Sequence, residues 1–210
     1  MTRAGRTAVA LPVAALILMG AGVLRPAPVR APAGPARAPA ATAPPQPRGS
    51  IYDLGLRVRD ADGIERGLDD LRGHPVLASM FYASCTSACP LLVSNMKRVA
   101  AGAPSGLRDD LRVLLVSFDP ARDPPAALAD VARRHDLDVG RWRIAVAPDE
   151  ATARALAAVL GIRYRATADG MIDHTTAITV LDPAGGVRGR AEDPSAVAAL
   201  LARLTGGTGS

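Results

Sequence analysis

Hydrophobic and polar positions divide most of the chain into segments of two alternating kinds. Ile51, Leu54, Leu56 and Val58 alternate with polar neighbours up to Asp60-Ala61-Asp62-Gly63, and apolar character resumes at Ile64, which predicts a β-hairpin. Val76 to Tyr82 is a compact apolar run with the length of a strand buried on both faces. Pro90 then predicts the start of a helix to about Ala101, with Leu91, Leu92, Met96 and Val99 on one side. Leu111 to Phe118 reads as a second buried strand, and Asp123-Pro124-Pro125 as the cap and start of a helix to about His135. The alternation continues with a strand over Arg143 to Ala147 and a helix over Asp149 to Leu160, closed by Gly161. Thr175 to Leu181 predicts a strand, Asp182-Pro183-Ala184-Gly185-Gly186 a turn, Val187 to Arg190 its partner, and Pro194 to Leu204 a last helix.

Strands alternating with helices imply an α/β domain whose central mixed sheet contains parallel pairs, is flanked by helices and ends in an antiparallel hairpin. The order is the thioredoxin-like fold with an extra N-terminal hairpin. The chain has 210 residues, enough for one such domain with extensions. The predicted domain covers 50–205 and leaves 206–210 as a tail.

The first part of the chain breaks this pattern. Arg3 and Arg6 precede an uncharged stretch from Ala8 to Leu24, so residues 1–24 read as a signal sequence or an N-terminal membrane anchor. Gly20-Ala21-Gly22 offers small residues for cleavage, and no cysteine stands there to carry a lipid. Arg25, Arg30 and Arg37 follow the apolar stretch, against the usual preference for positive charge on the inner side. Residues 25–49 are mostly Pro and Ala and read as a linker, extending at about 3.1 Å per residue. The net charge of +5 comes from this region, which holds six arginines and no acid. The remainder, with 19 basic and 20 acidic side chains, lacks the basic surface that nucleic acid requires.

The two cysteines, Cys85 and Cys89, fall between the first buried strand and the next helix. Amide donors and the dipole at a helix N-terminus favour thiolates there, and a spacing of four puts both sulfurs on one side of a turn. A structural disulfide is one reading, although so short a loop contributes only about 2 kcal/mol in the loop-entropy estimate. The others are a redox pair and a pair of soft ligands for copper(I), zinc or another thiophilic ion. Of the three histidines, His74 lies in a turn and His135 at a helix end, and both read as structural. His174 stands in Ile172-Asp173-His174-Thr175-Thr176, just before a strand whose entrance faces the cysteine turn in a thioredoxin arrangement. That makes it the candidate third ligand, with Asp173 read as a plain turn residue or, alternatively, as an acceptor to orient it. Met80 and Met96 read as core, and Met171 as a weak candidate for an extra sulfur ligand.

Phe81-Tyr82-Ala83-Ser84-Cys85-Thr86-Ser87-Ala88-Cys89-Pro90, Val116-Ser117-Phe118-Asp119-Pro120-Ala121-Arg122-Asp123 and Asp173-His174-Thr175 resemble, in order, the signatures of the Sco/SenC family. The resemblance covers about residues 50 to 205. It implies a thioredoxin-like fold and a site for copper, as Cu+ or Cu2+, with Cys85, Cys89 and His174 as ligands. It also implies a role in assembling the dinuclear copper centre of a respiratory oxidase. The expected partners are the copper-receiving oxidase subunit, and a thiol-disulfide reductase or another copper donor. The expected location is extracytoplasmic, in the periplasm or on the outer face of the cytoplasmic membrane, with a membrane tether if the leader stays uncut. Thr86-Ser87-Ala88 departs from the Pro-Asp that many members carry after the first cysteine, removing a charge beside the site. The competing function is a thiol-disulfide oxidoreductase, with Cys85 and Cys89 cycling to keep a client's copper-ligand cysteines reduced. Zinc is the competing metal.

Overall fold

The structure, a computed structural model, describes residues 49–86, 88–167 and 172–205. The leader, nearly all of the linker, the tail after residue 205 and Met171 lie outside the described residues.

In chain order the elements are β1 (Arg57–Asp60), β2 (Glu65–Gly67), β3 (Val76–Phe81), α1 (Ala88–Ala101), α2 (Ser105–Arg108), β4 (Arg112–Ser117) and α3 (Pro125–Arg134). They continue as β5 (Trp142–Val146), α4 (Glu150–Leu160), β6 (Tyr164–Ala166), β7 (Ile172–His174), β8 (Ile178–Leu181), β9 (Val187–Ala191) and α5 (Pro194–Thr205). Seven strands form one sheet in the order β2-β1-β5-β4-β3-β8-β9. β3, β4 and β5 run parallel, whereas β1, β2, β8 and β9 join antiparallel, so the sheet is mixed as expected. Helices α1 and α5 pack together against the β3-β8-β9 side, and α3 packs on β5 and β1.

Burial explains the central strands. All six residues of β3 are buried, Ser79 among them, and its hydroxyl donates to the carbonyl of Ala177 at 2.8 Å. The Thr179 hydroxyl likewise donates to the Leu160 carbonyl at 2.8 Å, tying β8 to the end of α4. α4 begins and ends as its sequence predicts. Asp149 caps it by accepting from the Thr152 N–H at 2.7 Å, and Gly161 closes it at φ 68°, in the left-handed region.

Four local expectations are corrected. Residues Ile51–Leu54 form a turn of 3-10 helix instead of the first arm of a hairpin strand, because the Ser50 hydroxyl accepts from the Tyr52 N–H and Ile51 and Tyr52 are buried consecutively. The hairpin is therefore only β1 and β2. α1 starts at Ala88, ahead of Pro90, so Cys89 sits inside its first turn, where a proline costs no intrahelical bond. Pro124 precedes α3 without a side-chain cap, and Asp123 serves elsewhere. Finally, residues 172–174 form β7, which pairs with β6 in a separate two-stranded sheet, and the main-sheet strand begins only at Ile178.

Candidate metal centre

The site lies where β3 and β4 end. Beyond β3 the chain turns at Ala83, whose N–H donates to Oδ2 of Asp123 at 2.7 Å. The same oxygen accepts from the Ser117 hydroxyl at 2.5 Å, so one buried carboxylate fastens the cysteine turn to the end of β4. Burial holds the Asp123 carboxyl above the usual range, partly offset by those two hydrogen bonds. Asp119 completes the segment by pairing with Arg122 at 2.5 Å, while its carbonyl accepts from the Asp123 N–H at 3.0 Å.

Cys85 and Cys89 are thiols and are not bridged. The Cys89 N–H, in the first turn of α1, donates to the Cys85 sulfur at 3.2 Å, a contact of the kind expected between a helix N-terminus and a thiolate. Cys89 itself departs from the sequence expectation of an easily ionised thiol. It is 4% exposed, and burial first, with the Cys85 thiol next, pushes it up. Its proton is therefore removed more readily by an arriving cation than by solvent.

His174 arrives on β7. Its Nε2 lies 3.6 Å from the Cys89 sulfur, and its Nδ1 is 3.1 Å from the carbonyl oxygen of Thr175. An N–H at Nδ1 donating to that carbonyl leaves the Nε2 lone pair aimed at the sulfurs. Thr175, not Asp173, is thus the orienting acceptor, because Asp173 points outward and pairs with Arg165 at 3.2 Å. Aromatic rings hold the imidazole from behind. Phe118 meets it edge-on at 5.1 Å and Tyr82 at 6.0 Å, and Tyr164 stacks on Phe118 at 4.7 Å. Burial and then the Cys85 thiol push the Tyr82 hydroxyl up as well.

The donor atoms of Cys85, Cys89 and His174 all lie within 4.8 Å of one another. With metal bonds of about 2.3 Å to sulfur and 2.0 Å to nitrogen, donors so spaced can share one ion. Two thiolates and one imidazole are soft to borderline ligands, and among divalent first-row ions the affinity order puts copper above zinc. The donor set therefore fits copper. Cys85 also borders a hollow of about 480 Å³ with Thr86, Pro90 and Arg134, and His174 borders another of about 300 Å³ with Arg163 and Arg165.

A family model described as SCO1/SenC matches residues 52–206. The chain belongs to the SCO1/SenC family. A protein of Stutzerimonas stutzeri described as a candidate copper-binding protein is 23% identical over 143 residues, 66% of this chain and 68% of that protein. Bradyrhizobium japonicum ScoI, solved with copper bound, is 23% identical, with a TM-score of 0.58 over 71% of this chain and 96% of its own. BsSco, described with a disulfide switch and as a member of the Sco family of cytochrome c oxidase assembly proteins, is 19% identical, with a TM-score of 0.60 over 73% of this chain and 92% of its own. At these identities the solved Sco structures show the fold, and it is thioredoxin-like.

Sequence reasoning brought Cys85, Cys89 and His174 together, and the structure does too. Met80 and Met96 are core residues with no exposed surface. His135 ends α3, with its carbonyl bound by the Lys97 ammonium at 2.7 Å, and His74 lies before β3, at the far end of the sheet. The roles of Phe118, Tyr164 and the Thr175 carbonyl went unread. Phe118 and Asp123 stand inside a family signature, but nothing in the local pattern marks Tyr164.

Proposed function

We propose that this chain is a copper metallochaperone, holding one copper ion between Cys85, Cys89 and His174 and passing it to the dinuclear copper centre of a respiratory oxidase during assembly. The proximity of the three donors, within 4.8 Å, carries this reading. A simple dithiol enzyme has no use for an imidazole fixed at Nδ1 and aimed at its thiols. Family membership and the copper found in Bradyrhizobium japonicum ScoI support it.

Copper is cargo here, and the chain's residues make it transferable. Binding displaces the thiol protons, among them the Cys89 proton that burial keeps on. A three-donor set leaves room for a recipient's ligand to enter before a donor leaves. Cys85, at 9% exposed against 4% for Cys89, is the sulfur nearer to that exchange. The recipient in this reading is the copper-receiving oxidase subunit, and the chain works outside the cytoplasm, tethered by residues 1–24 through the Pro/Ala linker.

A second reading is favoured by the reducible pair itself. Cys85 and Cys89 can form a disulfide, passing two electrons and two protons to a client disulfide, which is thereby reduced. The disulfide switch in the description of BsSco supports it.

Anaerobic titration of the reduced full chain with copper tests the first reading. One copper per chain is expected, with an intense thiolate charge-transfer band for copper(II). Unchanged copper binding in Cys85→Ser and Cys89→Ser, with no such band, would overturn it and leave the dithiol reading.

A further inference from the structure

At the end of the sheet opposite the thiols, where β4 and β5 begin, lies a cavity of about 620 Å³, larger than either hollow at the metal centre. The six residues of β3 put the two ends about 20 Å apart. Asp60, Arg66, His74, Arg112, Trp142 and Arg143 are among the residues lining it.

Two of these carry a buried polar atom without a hydrogen-bond partner among the described residues: Oδ1 of Asp60 and Nδ1 of His74. Buried polar atoms are nearly always paired, so two orphans around one cavity call for a partner that the described residues do not supply. Both atoms are buried as they stand, and the broad terminal torsions of a carboxylate and an imidazole allow a ligand to draw them toward the cavity. The other oxygen of Asp60 is already engaged, by Arg66 at 2.6 Å and Arg143 at 3.6 Å. Oδ1 is thus an acceptor on a carboxylate whose charge is offset. Arg112 is the complement. Its guanidinium donates to the carbonyl oxygens of Asp109 and Leu111, at 3.1 and 3.3 Å, and makes no ion pair among the described residues. A cation in such a setting suits a carboxylate.

We propose that this cavity binds a small hydroxycarboxylate, its carboxylate on Arg112 and His74 and its hydroxyl donating to Oδ1 of Asp60. The lining holds five arginines against three aspartates, which disfavours an ammonium as the donor and favours a neutral hydroxyl. The site is separate from the three metal donors and does not depend on their function.

Trp142, the single tryptophan of the chain, is 7% exposed in the cavity wall and serves as the reporter. The full chain is titrated with L-malate, with succinate, which lacks only the hydroxyl, and with inorganic phosphate, following Trp142 emission. Saturable binding of malate is expected, with succinate about tenfold weaker, the worth of one hydrogen bond to a charged group. Arg112→Gln, at a strand end with backbone contacts only, should weaken malate about tenfold while copper uptake stays unchanged. Asp60→Asn should erase the preference for malate over succinate, since its amide oxygen will face the guanidiniums and its NH2 the cavity. No saturable response to malate, equal binding of succinate or phosphate by the unmodified chain, or an unaltered response in Arg112→Gln would each overturn the proposal. The copper titration is read independently, so failure here leaves the metallochaperone reading standing.

Discussion

Nε2 of His174 stands 3.6 Å from the sulfur of Cys89, across 85 residues of chain. One partner belongs to the first turn of α1 and the other to β7, so the contact exists only in the folded domain. The thiol pair, by contrast, is local, and its spacing survives any change at His174.

That difference separates the two functions. His174→Ala removes one donor and leaves the thiols and the helix amide on Cys85 in place. Copper affinity should fall by 10- to 100-fold or more, since even groups behind a ligand have effects of that order. Formation of the Cys85–Cys89 disulfide by ordinary oxidants should change far less. The measurement is oxidase assembly at limiting copper in cells carrying only this variant, alongside its copper affinity. Full assembly with lost copper binding would turn the assignment toward the dithiol.

Acid should weaken copper binding. The metal needs thiolates, and burial pushes the Cys89 thiol up, so at neutral pH binding must expel at least its proton. Affinity therefore rises with pH, and proton uptake by a weak buffer during titration reports the release. The metal-free fold has the opposite dependence. A thiol raised in the folded state stabilises it fully below the ordinary cysteine value of about 8.5, and that contribution declines as pH rises above it. Melting temperatures of copper-free protein on either side of that value check the sign, and a rise in stability across it would contradict the account.

Asp123 should matter to both stability and the site. Asp123→Ala leaves the Ala83 N–H and the Ser117 hydroxyl without their shared acceptor, a cost of about 2–4 kcal/mol in a buried position. Asp123→Asn keeps an acceptor oxygen and should recover part of it. Because Ala83 leads directly into Cys85, copper affinity should follow the same order, which denaturant titration and copper competition would show together.

Removing residues 1–49 should leave folding and copper affinity intact and, if the apolar stretch is an anchor, release the chain from membranes. A segment dominated by Pro and Ala cannot build a core, and in the proposed reading the tether is the apolar stretch before it. Fractionation of full-length and trimmed protein is the check, and full-length protein found shortened and free in the exported fraction would identify a cleaved signal.

The main sheet was legible because its strands announce themselves by composition. β3 and β4 are apolar runs buried on both faces, and α4 carries its own cap and stop in Asp149 and Gly161. The hairpin of β6 and β7 was not legible. Each strand has three residues, with Arg165 and Asp173 facing solvent, which is too short and too polar for a period to emerge. Asp123 was misjudged for a different reason. A lone acid before prolines has the composition of a helix cap, and only tertiary structure shows its oxygen turned back to Ser117 and Ala83. The grouping of Cys85, Cys89 and His174 was legible through family resemblance, whereas the carbonyl beside Nδ1 of His174 has no side-chain signature.

Among the described residues the small sheet of β6 and β7 shares no backbone ladder with the seven-stranded sheet, and two strands alone are marginal in water. An ion gripped at once by His174 and the two sulfurs would staple this flap to the body of the domain, and surrendering the ion would withdraw the staple. Cargo and flap then share one free-energy balance. Amide hydrogens of Tyr164–Ala166 and Ile172–His174 should exchange more slowly in the loaded chain than in the empty one, with little change in β3 or β4. A partner touching this edge would meet a surface that already differs between the copper-loaded and the empty chain.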